Sequence, residues 1–142
     1  MNLVIASDHA GYAMKENVKK YLLEQGHKVI DCGTDSEASC DYPIFAKALC
    51  KEINNGAAEL GILICGTGIG MSMAANKVKG IRAAVCSDYF STKFTRAHNN
   101  TNVMCIGARV MGEGLALELI EVFLNTPFEG GKHLRRVNML ED

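Results

Sequence analysis

Tryptophan is absent from the 142 residues, and the other large aromatics amount to four tyrosines and five phenylalanines. With 48% of the chain hydrophobic, the core must be built from Val, Ile, Leu, Ala and Met. A basic excess is lacking too. The formal net charge of −1 argues against a nucleic-acid partner, since dedicated binders carry a marked cationic surplus. No apolar run approaches the ~20 residues of a membrane span, so no membrane partner is expected. Met1 to His9 holds a short apolar run without a basic leader, which is not the pattern of a secretory signal. Cysteines are plentiful but unpatterned. Cys32, Cys40, Cys50, Cys65, Cys86 and Cys105 form no C-x-x-C pair and no zinc-ligand spacing. Reduced, mostly structural thiols in the cytoplasm are expected, with no metal and no cofactor. Linkers, repeats and low-complexity stretches are missing as well, and the length fits a single domain over residues 1–142.

What is present alternates between strand and helix. Continuous apolar runs predict buried strands over 3–6, 28–30, 60–64, 81–86 and 103–106. Between them, Tyr12 to Gln25 reads as an amphipathic helix with Met14, Val18 and Leu22 on one face, stopped by Gly26. Pro43 suits the first turn of a helix running to Asn55. Further helices are expected over 71–78, 89–98 and 112–124, the last carrying Leu115, Leu119, Ile120 and Phe123. A final helix follows the Gly130-Gly131 break. Apolar strands alternating with helices imply an α/β fold: a three-layer, Rossmann-like sandwich around a five-stranded parallel sheet.

The most informative stretch is Leu60-Gly61-Ile62-Leu63-Ile64-Cys65-Gly66-Thr67-Gly68-Ile69-Gly70. A strand leads into a cysteine, then alternating glycines, then a helix. Alternating glycines let successive N–H groups line a concave loop, and the helix start adds unpaired donors. Such donors favour negative charge on an adjacent sulfur. The run is not a Walker loop, because no Gly-Lys-Ser/Thr follows. As a dinucleotide fingerprint it is poor: the spacing is G-x-G-x-G, with Met71 where a third small residue belongs. Asp88, about 20 residues on, is the one feature that favours the nucleotide alternative.

Ligands in parallel sheets bind outside the carboxyl ends of the strands. The loops there are expected to carry Asp8 and His9, the Cys65–Gly70 run, and Arg109, with His98 and Asn99 closing the helix before the last strand. On this reading the polar groups converge on one rim. The tail adds Lys132-His133-Leu134-Arg135-Arg136. Lys132 and Arg136 are four apart and share a helix face; with Arg109 they suit a phosphate.

Taken in order, Ser7-Asp8-His9-Ala10-Gly11, Asp41-Tyr42-Pro43, Cys65-Gly66-Thr67-Gly68-Ile69-Gly70, Ala74-Ala75-Asn76-Lys77, Gly80-Ile81-Arg82-Ala83, His98-Asn99-Asn100-Thr101-Asn102-Val103 and Gly130-Gly131-Lys132-His133 resemble the type B ribose-5-phosphate isomerases. That family groups with galactose-6-phosphate isomerase subunits. The resemblance spans nearly the whole chain. It implies metal-independent interconversion of ribose 5-phosphate and ribulose 5-phosphate through an enediolate, a step of the pentose phosphate pathway. It makes Cys65 the base at C2, with Thr67 assisting and the backbone of Gly66, Thr67, Gly68, Ile69 and Gly70 holding the enediolate oxygen. His98 becomes the ring-opening acid. Asp8, His9, Tyr42 and Asn99 would hold the sugar, and Arg109, Lys132 and Arg136 the phosphate. It also implies a homodimer or dimer of dimers with sites completed across the interface. Many relatives carry arginine where this chain has Lys132, and lysine lacks the bidentate fork. Preference among ribose, allose and galactose phosphates stays open at this stage.

Overall fold

A computed structural model describes residues 1–141. Five strands form one parallel sheet: β1 (Asn2–Ser7), β2 (Lys28–Asp31), β3 (Leu60–Cys65), β4 (Ala83–Val85) and β5 (Val103–Gly107). Their spatial order is β2-β1-β3-β5-β4. The expected α/β class is what the chain adopts. β1, β3 and β5 are buried almost throughout, which is why they read as unbroken apolar runs. The outer strands β2 and β4 are only partly covered.

Six helices are α1 (Tyr12–Glu24), α2 (Tyr42–Asn54), α3 (Ile69–Asn76), α4 (Tyr89–Asn99), α5 (Glu113–Asn125) and α6 (Lys132–Asn138), followed by a 3-10 turn at Met139–Glu141. Val18 and Leu22 of α1 share one apolar cluster with Leu119, Ile120 and Phe123 of α5, on the side of the sheet that Ile5, Ile62 and Ile106 face. Ala46 and Leu49 of α2 and Met71 and Ala75 of α3 pack on the opposite side with Val4, Leu63 and Cys105. Three layers result.

Two expectations need correction. The strand expected over 81–86 is shorter: β4 spans Ala83–Val85, although the Arg82 carbonyl still accepts from Val103 and the Cys86 amide still donates to Cys105 across to β5. Leu115 belongs to no core: it stands in the first turn of α5 and is exposed, whereas the next turns point Ala116, Leu119 and Ile120 inward.

Topology fixes where a ligand goes. The chain leaves β1 for a helix on one side of the sheet and leaves the adjacent β3 for a helix on the other. The loops after β1 and β3 therefore part, and a crevice opens between them at the carboxyl ends. Asp8 and His9 sit on one lip and the Cys65 loop on the other.

Candidate active site

Cys65 is the last residue of β3 and is 5% exposed. Its carbonyl accepts from Ala108 at 2.8 Å, and the Gly66 carbonyl accepts from Arg109 at 3.0 Å. The glycine loop is thus stitched to the end of β5. The amide of Gly68 donates to Cys65 Sγ at 3.1 Å, an interaction that strengthens when sulfur carries charge. Thr67 Oγ1 accepts from the Ile69 amide at 3.2 Å and is thereby oriented at the start of α3. On the β1 side, Asp8 N–H still donates to the Ile64 carbonyl at 3.2 Å, where the ladder stops. Among the described residues, the amides of Gly66 and Thr67 reach no acceptor.

Gly68 requires its glycine. Its φ is +80°, and an added Cβ would lie 3.0 Å from the Ile106 carbonyl carbon. Left-handed backbone and close approach to β5 together exclude a side chain.

Other expected residues gather around this loop. Asp8 is 7% exposed, and its Oδ1 accepts from the Gly11 amide at 3.1 Å, tightening the turn into α1. His9 Nδ1 accepts from the Cys40 amide at 3.3 Å, which ties the loop after β1 to the segment before α2. A Cβ on Gly70 would lie 2.9 Å from the Tyr42 ring, and one on Gly66 would lie 3.5 Å from Arg109 Nη1. Tyr42 and Arg109 therefore flank the loop. Asp88, the residue behind the nucleotide alternative, accepts from Ser91 N–H at 2.7 Å and caps α4. Met71 is wholly buried beneath the loop. Both serve the fold.

His98, Asn99, Lys132 and Arg136 lie elsewhere. In a parallel sheet each helix returns from the carboxyl rim to the amino rim, so the end of α4 stands at the amino rim. β5 then rises about 13 Å before Arg109 is reached. The expectation that all polar groups share one rim fails for this geometric reason. His98 and Asn99 instead line a cavity of about 250 Å³ with His133, Arg136, Val137 and Leu140. Within one chain the site residues form two groups: Asp8, His9, Tyr42, Cys65 to Gly70 and Arg109 at the carboxyl rim, and His98, Asn99, Lys132 and Arg136 at the other.

The second group contains a contact that the sequence did not signal. His98 Nε2 lies 3.3 Å from Glu129 Oε2, and the His98 and His133 rings stack with centroids 4.1 Å apart. Glu129 precedes the Gly130-Gly131 break, so no helical spacing links it to either histidine.

A Ribose/Galactose Isomerase family model matches residues 3–140. The chain belongs to this family. It is 43% identical over 138 residues to ribose-5-phosphate isomerase B of Escherichia coli K12, covering 97% of this chain and 93% of that protein. It is 39% identical to a galactose-6-phosphate isomerase subunit of Clostridium acetobutylicum, covering 96% and 79% respectively. Among solved structures, a ribose 5-phosphate isomerase of Thermotoga maritima superposes with a TM-score of 0.97 at 47% identity, covering 99% of this chain and 97% of that one. Ribose-5-Phosphate Isomerase B of Clostridium thermocellum gives 0.98 at 42% identity, covering 99% and 95%. Members of the ribose/galactose isomerase family thus share both the sequence and the sheet described above.

Proposed function

We propose that this chain is a ribose-5-phosphate isomerase that moves a proton between C2 and C1 without a metal. The observation that carries the reading is Cys65 at the end of a central strand, with a glycine-loop amide 3.1 Å from its sulfur and further amides free beside it. The Cys65 thiolate removes the C2 proton, and the electron pair forms the C1–C2 double bond of an enediolate. Amides of the Gly66–Gly70 loop take up the developing charge, an effect often worth about 3–4 kcal/mol per donor in acyl-transfer enzymes. The proton returns to C1, while the hydroxyl proton on O2 passes to O1 with Thr67 assisting. Ribose 5-phosphate is mostly cyclic, so the ring must open first. His98 protonates the ring oxygen as its bond to C1 breaks, while the O1 hydroxyl gives its proton to a solvent water and its electron pair forms the C1 carbonyl. Asp8, His9, Tyr42 and Asn99 hold the sugar; Arg109, Lys132 and Arg136 hold the phosphate.

Because His98 and Cys65 stand at opposite rims of one chain, the acid must come from a second copy. We therefore assign the active species as a homodimer or a dimer of dimers, each chain a single domain over 1–142. Ile44, Ile69 and Met73 are exposed beside the candidate site, which supports coverage by a partner. All six cysteines are unpaired, which fits a reducing cytoplasm and a place in the pentose phosphate pathway. No described helix is long and apolar enough to cross a membrane.

Turnover of ribose 5-phosphate by the purified chain and by Cys65→Ala tests this reading. Ketose formation should fall by a factor of about 100 or more in the variant, as for loss of a proton-transfer group. Equal activity in both would reassign the base. An inactive wild type that turns over six-carbon sugar phosphates would change the substrate, which one methylene of pocket space discriminates by only ~1–3 kcal/mol.

A further inference from the structure

Asp31 ends β2 and takes no part in the proposed isomerisation, yet it stands at the root of the lip that carries Asp8 and His9. The ladder between β1 and β2 closes at the pair Ile5 and Asp31. Backbone bonding continues beyond it. Cys32 N–H donates to the Ile5 carbonyl at 2.9 Å, Ser7 N–H donates to the Gly33 carbonyl, and Thr34 N–H donates to the Ser7 carbonyl at 2.7 Å. Both backbone groups of Ser7 are thus spent on the turn at 33–34. Its hydroxyl is buried with no hydrogen-bond partner among the described residues, so that turn alone ties Ser7 to the β2 side. The next residue along is Asp8.

Asp31 fixes this turn. Its Oδ1 accepts from the Gly33 amide at 2.9 Å, and Gly33 has a φ of +98°. Glycine restrains its own backbone least, so an outside bond sets the conformation. The carboxylate is itself held from α1: Lys15 Nζ donates to both oxygens at 2.8 and 2.7 Å, and Lys19 Nζ to Oδ2 at 2.7 Å. The circuit then closes. Lys15 N–H donates to the Gly11 carbonyl at 2.8 Å, and Gly11 N–H donates to Asp8 Oδ1 at 3.1 Å. Asp8 and His9 lie within a ring of bonds running from Asp31 through Gly33, Ser7 and Gly11 to Lys15 and back. Further along the segment that leaves this turn, the Cys40 amide reaches His9 Nδ1 at 3.3 Å.

We propose that Asp31 is a positioning residue of the isomerase site, setting Asp8 and His9 against the Cys65 loop through the Gly33 and Ser7 bonds. Binding groups must be held to within about 0.5 Å to stay productive, and groups on a loop need outside support to reach that precision. The effect on turnover rests on the isomerase reading; the effect on His9 does not. Positioning and mere folding differ in their kinetics. A residue that only keeps the chain folded changes the number of working molecules and leaves KM alone. A displaced lip loses sugar contacts in every molecule, and such loss of uniform binding raises KM.

The test compares two variants. Asp31→Ala removes the acceptor, whereas Gly33→Ala leaves the ion pair intact but strains the turn at its positive φ and presses a Cβ to 3.0 Å from the Phe45 ring. Phe123→Leu, in the α5 core, is the control for lost stability. With ribose 5-phosphate, and activity normalised to folded protein by circular dichroism, KM should rise at least tenfold in both variants with kcat within threefold. The double variant should be no worse than the poorer single, because both act through one turn. KM in Phe123→Leu should stay within twofold. The His9 imidazole NMR signals should shift in both lip variants, while those of His27, at the other end of β2, stay. An unchanged KM in Asp31→Ala, unmoved His9 signals, or an equal rise in Phe123→Leu would overturn the proposal. If Asp31→Ala does not fold, Asp31→Asn replaces it; that variant loses the ion pair, and KM should rise at least threefold, an unchanged value again overturning the proposal. If the wild type turns over no ribose 5-phosphate, the isomerase reading fails, and the His9 signals still decide whether Asp31 sets the lip.

Discussion

At the scale of single residues, polar groups inside this fold have unequal duties. Lys15 is 1% exposed, and its Nζ donates to the two carboxylate oxygens of Asp31 at 2.8 and 2.7 Å and to Glu16 Oε1 at 3.0 Å. Burial alone would raise the Asp31 pKa, but the bonds from Lys15, Lys19 and the Gly33 amide outweigh it and hold the group below its ordinary value. A depressed carboxylate stabilises the fold above its unfolded pKa, and that contribution vanishes as pH falls through the lower folded value. Asp31→Asn should thus cost about 1–3 kcal/mol in urea unfolding at neutral pH, with the deficit shrinking towards acid, because it leaves the buried Lys15 Nζ with Glu16, 3.0 Å away, as its remaining carboxylate partner. The thiols divide in a similar way. Burial pushes Cys50 and Cys86 up to about 11 and Cys105 well above its ordinary value. All three should escape iodoacetamide at neutral pH, read by peptide mass spectrometry, and Cys50 and Cys86 should begin to react only as pH nears that range in folded protein.

Elements set the precision of the site. The glycine loop lies directly against β5, so that a Cβ on Gly107 would meet the Thr67 carbonyl carbon at 2.7 Å. Backbone cannot yield cheaply there. Gly107→Ala should displace the loop, lowering kcat/KM at least tenfold while costing about 1–3 kcal/mol in stability, as overpacking does; steady-state kinetics beside denaturant melts separate the two. Much of this architecture could be read from the chain. Gly26, Gly56 and Asn100 stop helices through positive φ, and the central strands declare themselves because both faces are covered. The edge strand β4 is shorter than the apolar run that announces it: Ile81 is buried before the strand begins, and Cys86, buried just past its end, still donates to the Cys105 carbonyl at 2.9 Å. The pairing of His98 with Glu129 and His133 was illegible, since it depends on how α6 folds back on α4 and on no local period.

The whole molecule turns on the separation of its two polar groups. If each site takes Cys65 from one copy and His98 from another, Cys65→Ala and His98→Gln are both inactive alone. Mixed after dissociation and reassociation, they should regain about a quarter of wild-type activity, because half of the pairs are mixed and each mixed pair holds one intact site of its two. No recovery would return His98 to its own chain or remove it from the reaction. The sequence supplied every residue of both groups but not their distance, because a parallel sheet sends consecutive helix and strand ends to alternate rims. That alternation has a kinetic signature. A solitary chain would hold two unmatched halves, so specific activity should not be a constant of the protein. On serial dilution below the dissociation constant of the pair, the rate should fall with the square of enzyme concentration. Excess of the inactive Cys65→Ala chain, added to such a dilute wild-type solution, should then raise the rate.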